Sequence, residues 1–419
     1  MDSSNGRAGA PAEALDAARA RELYEAMVLI RVFDEETDRQ YKRDRIGGYC
    51  HLCSGQEAAT VGACAALEPD DLLLTSYRSH GFALARGVSP EAMMAELFGR
   101  IDGCARGRGG SMHPADPNLG YLGGWGIVGG QLPLAVGAGF TLAQKEQPQP
   151  VLCELGEGAV NIGAWHEALN LAAIWDLPVV CLVMNNEYSM GSPVAEVSAE
   201  PEVHKRAAAF RMRGERVDGQ DVEAVLAAAG ELLDEARERR RPAVLEALTY
   251  RYRGHSVADP GTAYRSPDEV EQWRRRDPIA LFAARLRERG IFSSDDELEQ
   301  VRRHSEQRVA HAVEFAERSE PPLVTTLARH VYGDPATAEQ FAHMGPGSPF
   351  GEHELVLGGA SAMPEATITR EPAPPPSAEA GGSTTMSFRE ALRSALREEL
   401  LLDESVFLIG EEIGVFEGS

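Results

Sequence analysis

The stretch from Gly156 to Asn186, GEGAVNIGAWHEALNLAAIWDLPVVCLVMNN, constrains this chain more than any other. An apolar run, Val151–Leu155, stops at Gly156-Glu157-Gly158; an amphipathic stretch follows, and a second apolar run, Pro178–Met184, stops at Asn185-Asn186. The spacing predicts strand, tight turn, helix, strand. A right-handed crossover of this kind lays two parallel strands in one sheet with their carboxyl ends on the same edge. Open α/β sheets bind ligands along that edge. Glu157 leaves the first strand there and Asn186 the second, so two hard oxygen donors converge beside the positive end of a helix. That arrangement suits a magnesium ion holding a diphosphate. Glycine at Gly156 and Gly158 lets backbone approach phosphate where a Cβ would clash. Taken singly, each motif is equally an ordinary turn or strand exit. A dinucleotide site fits less well, because Gly163 comes too late for the third glycine and Asp176 precedes the second strand instead of ending it.

The chain has 419 residues, 43% of them hydrophobic, and a formal net charge of −24. This is a globular composition with room for two or three domains, and the charge argues against nucleic acid. The basic clusters Arg237–Arg241 and Arg274–Arg276 fall where helices end and read as solvated charge. Six cysteines (Cys50, Cys53, Cys64, Cys104, Cys153, Cys181) at irregular spacing fit a reducing compartment, the cytoplasm, better than a disulfide scaffold. Cys50-x-x-Cys53 lacks a second pair to complete a zinc site and reads as two small apolar loop residues. No run reaches the ~18 apolar residues of a membrane helix, and the first twenty residues are no signal or transit peptide.

Residues 1–12 read as a disordered tail. Ala14–Asp44 predicts a long helix ended by Gly47 and Gly48, with Leu15, Leu23, Met27, Ile30 and Phe33 on one face. Residues 13–335 then alternate apolar runs with amphipathic stretches, the pattern of a doubly wound, mostly parallel sheet flanked by helices. Gly129–Ala143 reads as a buried core helix, Ala243–Thr249 as a late strand, and Asp277–Arg289 and Asp296–Glu317 as helices. Residues 336–385 are a Pro/Ala/Gly-rich linker. Residues 386–419 open with an amphipathic helix and continue to a strand and an acidic turn containing Glu411 and Glu412, an incomplete unit.

Further segments carry a resemblance. They are GGYCHLCSGQE (47–57), TSYRSHG (75–81), GRGGSMH (107–113), GGWGIVGGQ (123–131) and YRYRGHSVADPGTAYR (250–265). In this order, with the Gly156-to-Asn186 stretch, they resemble the α subunits of the thiamine diphosphate-dependent 2-oxo acid dehydrogenases, the pyruvate dehydrogenase first component in particular. The similarity runs from about residue 20 to residue 330, and residues 386–419 resemble the start of the matching β subunit.

The resemblance implies a thiamine diphosphate-binding fold, with Mg²⁺ held by the Glu157 carboxylate, Asn186 and the Tyr188 carbonyl. It places Gly156, Gly158 and Ala159 against the diphosphate, Tyr77 and Arg78 as its grip, and the backbones of Gly126 and Val128 against the aminopyrimidine ring. His255 would stand by the diphosphate and reacting carbon, His51 by the substrate carboxylate, and His80 would orient Tyr77 and Arg78; imidazoles suit proton handling at working pH. His113 and His166 read as structural, and Ser256, where relatives can carry phosphate, as a polar loop residue. Two departures stand out. Glu157 replaces the family's Asp, and the extra methylene must be absorbed at a Mg²⁺ that wants oxygens at roughly 2.0–2.1 Å. Trp125 replaces an Asn beside the aminopyrimidine.

The implied activity is oxidative decarboxylation of pyruvate with acyl transfer to the lipoyl group of a partner acyltransferase, in a heterotetramer with a β-type subunit (α2β2-like). Acetoin or a branched-chain 2-oxo acid is an alternative substrate. A catalytically incompetent subunit kept for assembly, or a nicotinamide-dependent reductase, is an alternative function. The glutamate that activates the aminopyrimidine belongs to the β-type partner, so the chain by itself is expected to be inactive or nearly so.

Overall fold

Six short strands, the central ones carrying apolar residues toward both faces, are paired into one parallel sheet in the structure, a computed structural model describing residues 15–326 and 386–402. They are β1 Leu72–Ser76, β2 Tyr121–Trp125, β3 Val151–Gly156, β4 Val179–Asn185, β7 Arg213–Asp218 and β8 Ala243–Leu248, in the order β2-β1-β3-β4-β8-β7. A two-residue hairpin, β5 Tyr188–Ser189 and β6 Ser192–Pro193, follows β4. The helices are α1 Ala17–Tyr41, α2 Glu57–Ala65, α3 His80–Ala85, α4 Pro90–Leu97, α5 Gln131–Gln144, α6 Gly163–Ile174, α7 Val194–Val197, α8 Val222–Arg239, α9 Pro267–Arg274, α10 Pro278–Glu288 and α11 Asp295–Arg318. This is the expected doubly wound α/β fold.

Strand side chains alternate between two cores, as a pleat of period two requires. Leu152, Val180, Leu182 and Met184 join α1, α2, α8 and α11 on one face. Val151, Cys153, Leu155, Val179, Cys181 and Val183 join α5 and α6 on the other. Because β1, β3, β4 and β8 run parallel, Tyr77, Glu157, Asn186 and Arg251 all leave the sheet at one edge.

Local chemistry explains the element ends. Asp16 caps α1 by accepting from the Arg19 N–H at 2.8 Å, and Asp221, Asp277 and Ser294 cap α8, α10 and α11 in the same way. The first helix stops at Tyr41 instead of Asp44, since Asp44 adopts a left-handed φ of 57° before the two glycines are reached.

Two further expectations are corrected. Helix α5 is not buried all round. Leu132, Ala135, Val136 and Gly139 face the sheet, while Leu134 and Phe140 are exposed on the other side. Gly139 sits so close to β4 that a Cβ would meet Val179 Cγ2 at 2.7 Å. Arg237 is not simply solvated, because it clasps the buried carboxylate of Asp71 through two hydrogen bonds of 2.9 Å.

The described residues fall into two units, one running through Pro322 and the other beginning at Leu323. Within the second, Phe388–Leu402 is a helix whose Phe388, Leu392, Leu396 and Leu400 recur every four residues. Ser387 and Glu390 form a reciprocal capping box at its start. Residues 1–12, the linker 336–385 and the turn holding Glu411 and Glu412 lie outside the described residues. No helix among the described residues is long and apolar enough to cross a membrane.

Candidate active site

The carboxyl edge of the sheet opens into a cleft lined by the ends of β1, β3 and β4 and by the loop after β8. Glu157 opens a 3-10 turn directly after β3, and Asn186 follows β4. The two meet. Glu157 Oε2 accepts from the Asn186 N–H at 3.3 Å, and Oε1 accepts from Ser189 Oγ at 3.5 Å. Asn186 Oδ1 accepts from the Tyr188 N–H and from Arg251 Nη1, each at 3.4 Å, and the Tyr188 carbonyl accepts from that same Nη1 at 2.9 Å. Three hard oxygens of different chemistry thus gather around a positive charge, a donor set that fits a small divalent cation. Gly158 permits this closeness, since a Cβ there would meet Ser189 Oγ at 2.4 Å. Gly156 and Ala159 line the cleft beside it.

Asn185, the first of the two asparagines, is structural. Its Nδ2 donates to buried Glu246 at 2.7 Å, and its Oδ1 accepts from the Glu187 N–H at 3.0 Å, shaping the turn that carries Asn186.

Arg78 and Arg251 supply positive charge, and both are nearly fully buried. Arg78 donates to the Leu52 carbonyl at 2.6 Å and the His255 carbonyl at 2.9 Å, tying together the two loops that bear the histidines. The Tyr77 ring centroid lies 4.5 Å from that of His51 and 5.8 Å from that of His255, and the two imidazoles are 5.0 Å apart. Burial, reinforced by Arg78, pushes His51 down to about 2 and His255 down to about 3, so both rings are neutral at working pH. Each has a buried Nδ1 without a protein partner. The His255 loop is set by Asp259, which accepts from the His255 N–H at 2.6 Å, and by Gly254, where a Cβ would strike the Asp259 carbonyl at 2.1 Å.

Carboxylates here feel the buried environment. Burial raises Glu157 above the usual carboxylate range, with Arg251 opposing. Glu154, on β3, lines the same cleft and rises to about 7 through burial, although Ser76 donates to it from both N–H and Oγ.

Several sequence expectations land elsewhere. His80 does not orient Tyr77 and Arg78; it is fully buried, with Nδ1 3.3 Å from Asp34 and Nε2 2.8 Å from Ser111. Val128 lines the cleft, whereas Gly126 packs on His113, whose ring a Cβ would meet at 3.0 Å. Trp125 ends β2 opposite Ser76 and stands apart from the cleft lining. Cys50 and Cys53 are buried free thiols, and Ser256 is buried in its loop.

Sequence reasoning missed Arg251, Glu154 and Gln131, which lines the cleft and donates from Nε2 to the Glu154 carbonyl at 2.8 Å. The signals were present: Arg251 stands inside YRYRGH, four residues before His255, and Glu154 is a charge inside an otherwise apolar strand.

Comparison with known proteins points to one family. The sequence pattern of the family described as dehydrogenase E1 component matches residues 24–324. A pyruvate dehydrogenase E1 component subunit alpha of Rhizobium meliloti (strain 1021) is 44% identical over 305 residues, 73% of this chain and 87% of that protein. The protein of the same name from Rickettsia felis is 39% identical over 311 residues, 74% of this chain and 94% of that one. The testis-specific mitochondrial form from Rattus norvegicus is 40% identical over 314 residues, 75% of this chain and 79% of its own length.

Proposed function

The chain belongs to the dehydrogenase E1 component family, and we propose that it acts there as an α-type subunit in the thiamine diphosphate- and Mg²⁺-dependent oxidative decarboxylation of pyruvate. Members of the family use thiamine diphosphate with a divalent metal. The observation that carries the reading is the meeting of Glu157, Asn186 and the Tyr188 carbonyl beside two buried arginines in one cleft. When bound, the cofactor supplies the electron sink for loss of carbon dioxide.

The chain's own residues have the following proposed roles. Glu157, Asn186 and the Tyr188 carbonyl hold the metal. Tyr77, Arg78 and Arg251 bind the diphosphate, with the backbone of residues 156–159 alongside it. Val128 supports the aminopyrimidine. His255 faces the diphosphate end of the reacting centre and His51 the substrate carboxylate; as neutral imidazoles each offers a lone pair and an N–H.

As an α subunit of this family the chain assembles with a β-type subunit. The finer proposal is an α2β2-like assembly that passes its acyl group to a lipoyl-bearing acyltransferase. Exposed apolar side chains on and beside α5 and α6, among them Phe140 and Trp175 with ring centroids 5.3 Å apart, support such an interface. The cytoplasm is the proposed compartment, in keeping with six free thiols.

Titration calorimetry of thiamine diphosphate with Mg²⁺ into the chain assembled with a β-type subunit, followed by pyruvate-dependent carbon dioxide release, tests the reading. Saturable binding and turnover that needs the partner are expected. Assembly without cofactor binding would overturn it in favour of a subunit kept for assembly, the outcome to which Glu157 in place of Asp points.

A further inference from the structure

His80 sits at the centre of a buried hydrogen-bond chain that runs beneath His51. Asp34 and His80 are 0% exposed and Ser111 is 4%. Asp34 Oδ1 lies 3.3 Å from His80 Nδ1, His80 Nε2 lies 2.8 Å from Ser111 Oγ, and the backbone N–H of His51 donates to that Oγ at 3.4 Å. The other Asp34 oxygen accepts from the Cys53 N–H at 2.6 Å and from Ser54 Oγ at 3.2 Å. One carboxylate on α1 therefore holds residues 53–54 directly and His51 through two intermediaries.

The donor inventory sets the direction of the chain. A carboxylate only accepts, so the Asp34 contact calls for a proton on His80 Nδ1, and in the neutral ring Nε2 is left to accept from Ser111 Oγ. The Ser111 oxygen is then turned to receive the His51 N–H. Ser111 is anchored in turn, because buried Glu96 accepts four backbone N–H groups of the loop before it, from Ala105, Gly107, Gly109 and Gly110.

The same helix restrains the second histidine loop. Asp38 on α1 accepts from Arg253 Nη2 at 2.7 Å, two residues before His255. Burying this much polarity is a poor route to stability alone, since apolar replacements of buried ionic groups are often neutral or stabilising. A fully satisfied network instead specifies one geometry.

We propose that Asp34, acting through His80 and Ser111, is a positioning residue for His51, fixing the backbone that carries its ring against Tyr77 and His255. This rests on the reading that His51 faces the substrate. Asp34→Asn presents an amide N–H or a weaker acceptor to His80. The imidazole then loses its reason to keep the Nδ1 proton, and the Ser111 hydroxyl loses its fixed direction.

The test uses the full chain assembled with a β-type subunit and compares Asp34→Asn, His51→Ala and the double variant. Asp34→Asn is expected to lower kcat by about tenfold or more, the scale on which small misplacement acts, while thiamine diphosphate affinity stays within about twofold. In the His51→Ala background it should change kcat by less than about twofold, because residues acting through one another are not additive. Nitrogen NMR of the His80 ring should show the proton moving from Nδ1 to Nε2, and Asp34→Glu should restore part of the rate. Additive losses, or a parallel fall in cofactor affinity, would overturn the proposal while leaving the proposed function standing. A His51→Ala variant with undiminished turnover would sink it together with the role given to His51. Should Asp34→Asn fail to fold, Ser111→Ala cuts the same chain at its other end and must show the same non-additivity.

Discussion

Arg251 Nη1 donates to the backbone carbonyl of Tyr188 at 2.9 Å and lies 3.4 Å from Asn186 Oδ1. One guanidinium thus shares two of the three oxygens proposed for the metal. Its second nitrogen reaches Tyr264 Oη at 3.2 Å, so the strand exit after β4 and the loop bearing His255 are joined through a single cation. The charge has two consequences of opposite sign: it competes with a divalent ion and attracts a diphosphate.

Arg251→Gln should therefore tighten Mg²⁺ binding measured without cofactor and weaken thiamine diphosphate binding. Charge-assisted hydrogen bonds contribute about 1.5–3 kcal/mol, so cofactor affinity should fall by roughly tenfold to a hundredfold. Calorimetry of each ligand checks this; a fall in both affinities would show that Arg251 is scaffold alone.

Glu157→Asp should bind Mg²⁺ more tightly than the native chain, by about tenfold, because near-ideal octahedral geometry is recovered without displacing the backbone. The native chain should show a smaller preference for Mg²⁺ over Ca²⁺ than the variant does. Metal-dependent thermal shifts at fixed thiamine diphosphate measure both. Equal Mg²⁺ affinities would mean that the turn absorbs the extra methylene at no cost.

Glu154 makes stability depend on pH. Its folded value of about 7 exceeds the ordinary 4.5, so between those limits the folded chain holds a proton that the unfolded chain has released. Stability should fall as pH rises through this window, by about 3 kcal/mol in all. Because the histidines pull the other way over this window, the loss is read as a difference: in denaturant melts the stability of the native chain relative to Glu154→Gln should fall by that order between pH 5 and pH 7.5.

His51 and His255 act in the other direction. Their folded values of about 2 and about 3 lie below the ordinary 6.5, so as pH falls below that point the unfolded chain takes up protons that the folded chain refuses. Stability is lost on the acid side, and the loss is clearest in the Glu154→Gln background, where the opposing slope is gone. Ring-carbon NMR signals of both histidines should stay fixed from pH 8 to pH 5; a titration near 6.5 would show that the rings are hydrated and freely protonated.

Much of the architecture was readable from local pattern. The turn Gly156-Glu157-Gly158 and the exit Asn185-Asn186 interrupt two apolar runs, and only a parallel crossover puts both interruptions on one edge. Exposure of the second face of α5 was not readable, since an apolar helix facing outward has the same composition as one facing a core. The roles of the histidines divided in the same way. His51, His80 and His255 look alike in sequence, yet two pack against the Tyr77 ring and one is enclosed by Asp34 and Ser111.

By itself, then, the chain's sequence determined the parallel sheet, the edge at which its loops converge, and the residue types offered to a metal and a diphosphate, because period, glycine placement and crossover handedness act over short stretches. Tertiary structure alone decided that Arg251 reaches the Tyr188 carbonyl, that Glu154 lies buried beside Glu157's cleft, and that His80 supports His51 from behind. Arg251 and Tyr188 are 63 positions apart and His80 and Ser111 are 31, and the strength of such contacts comes from exclusion of water, which exists only once the layers have packed.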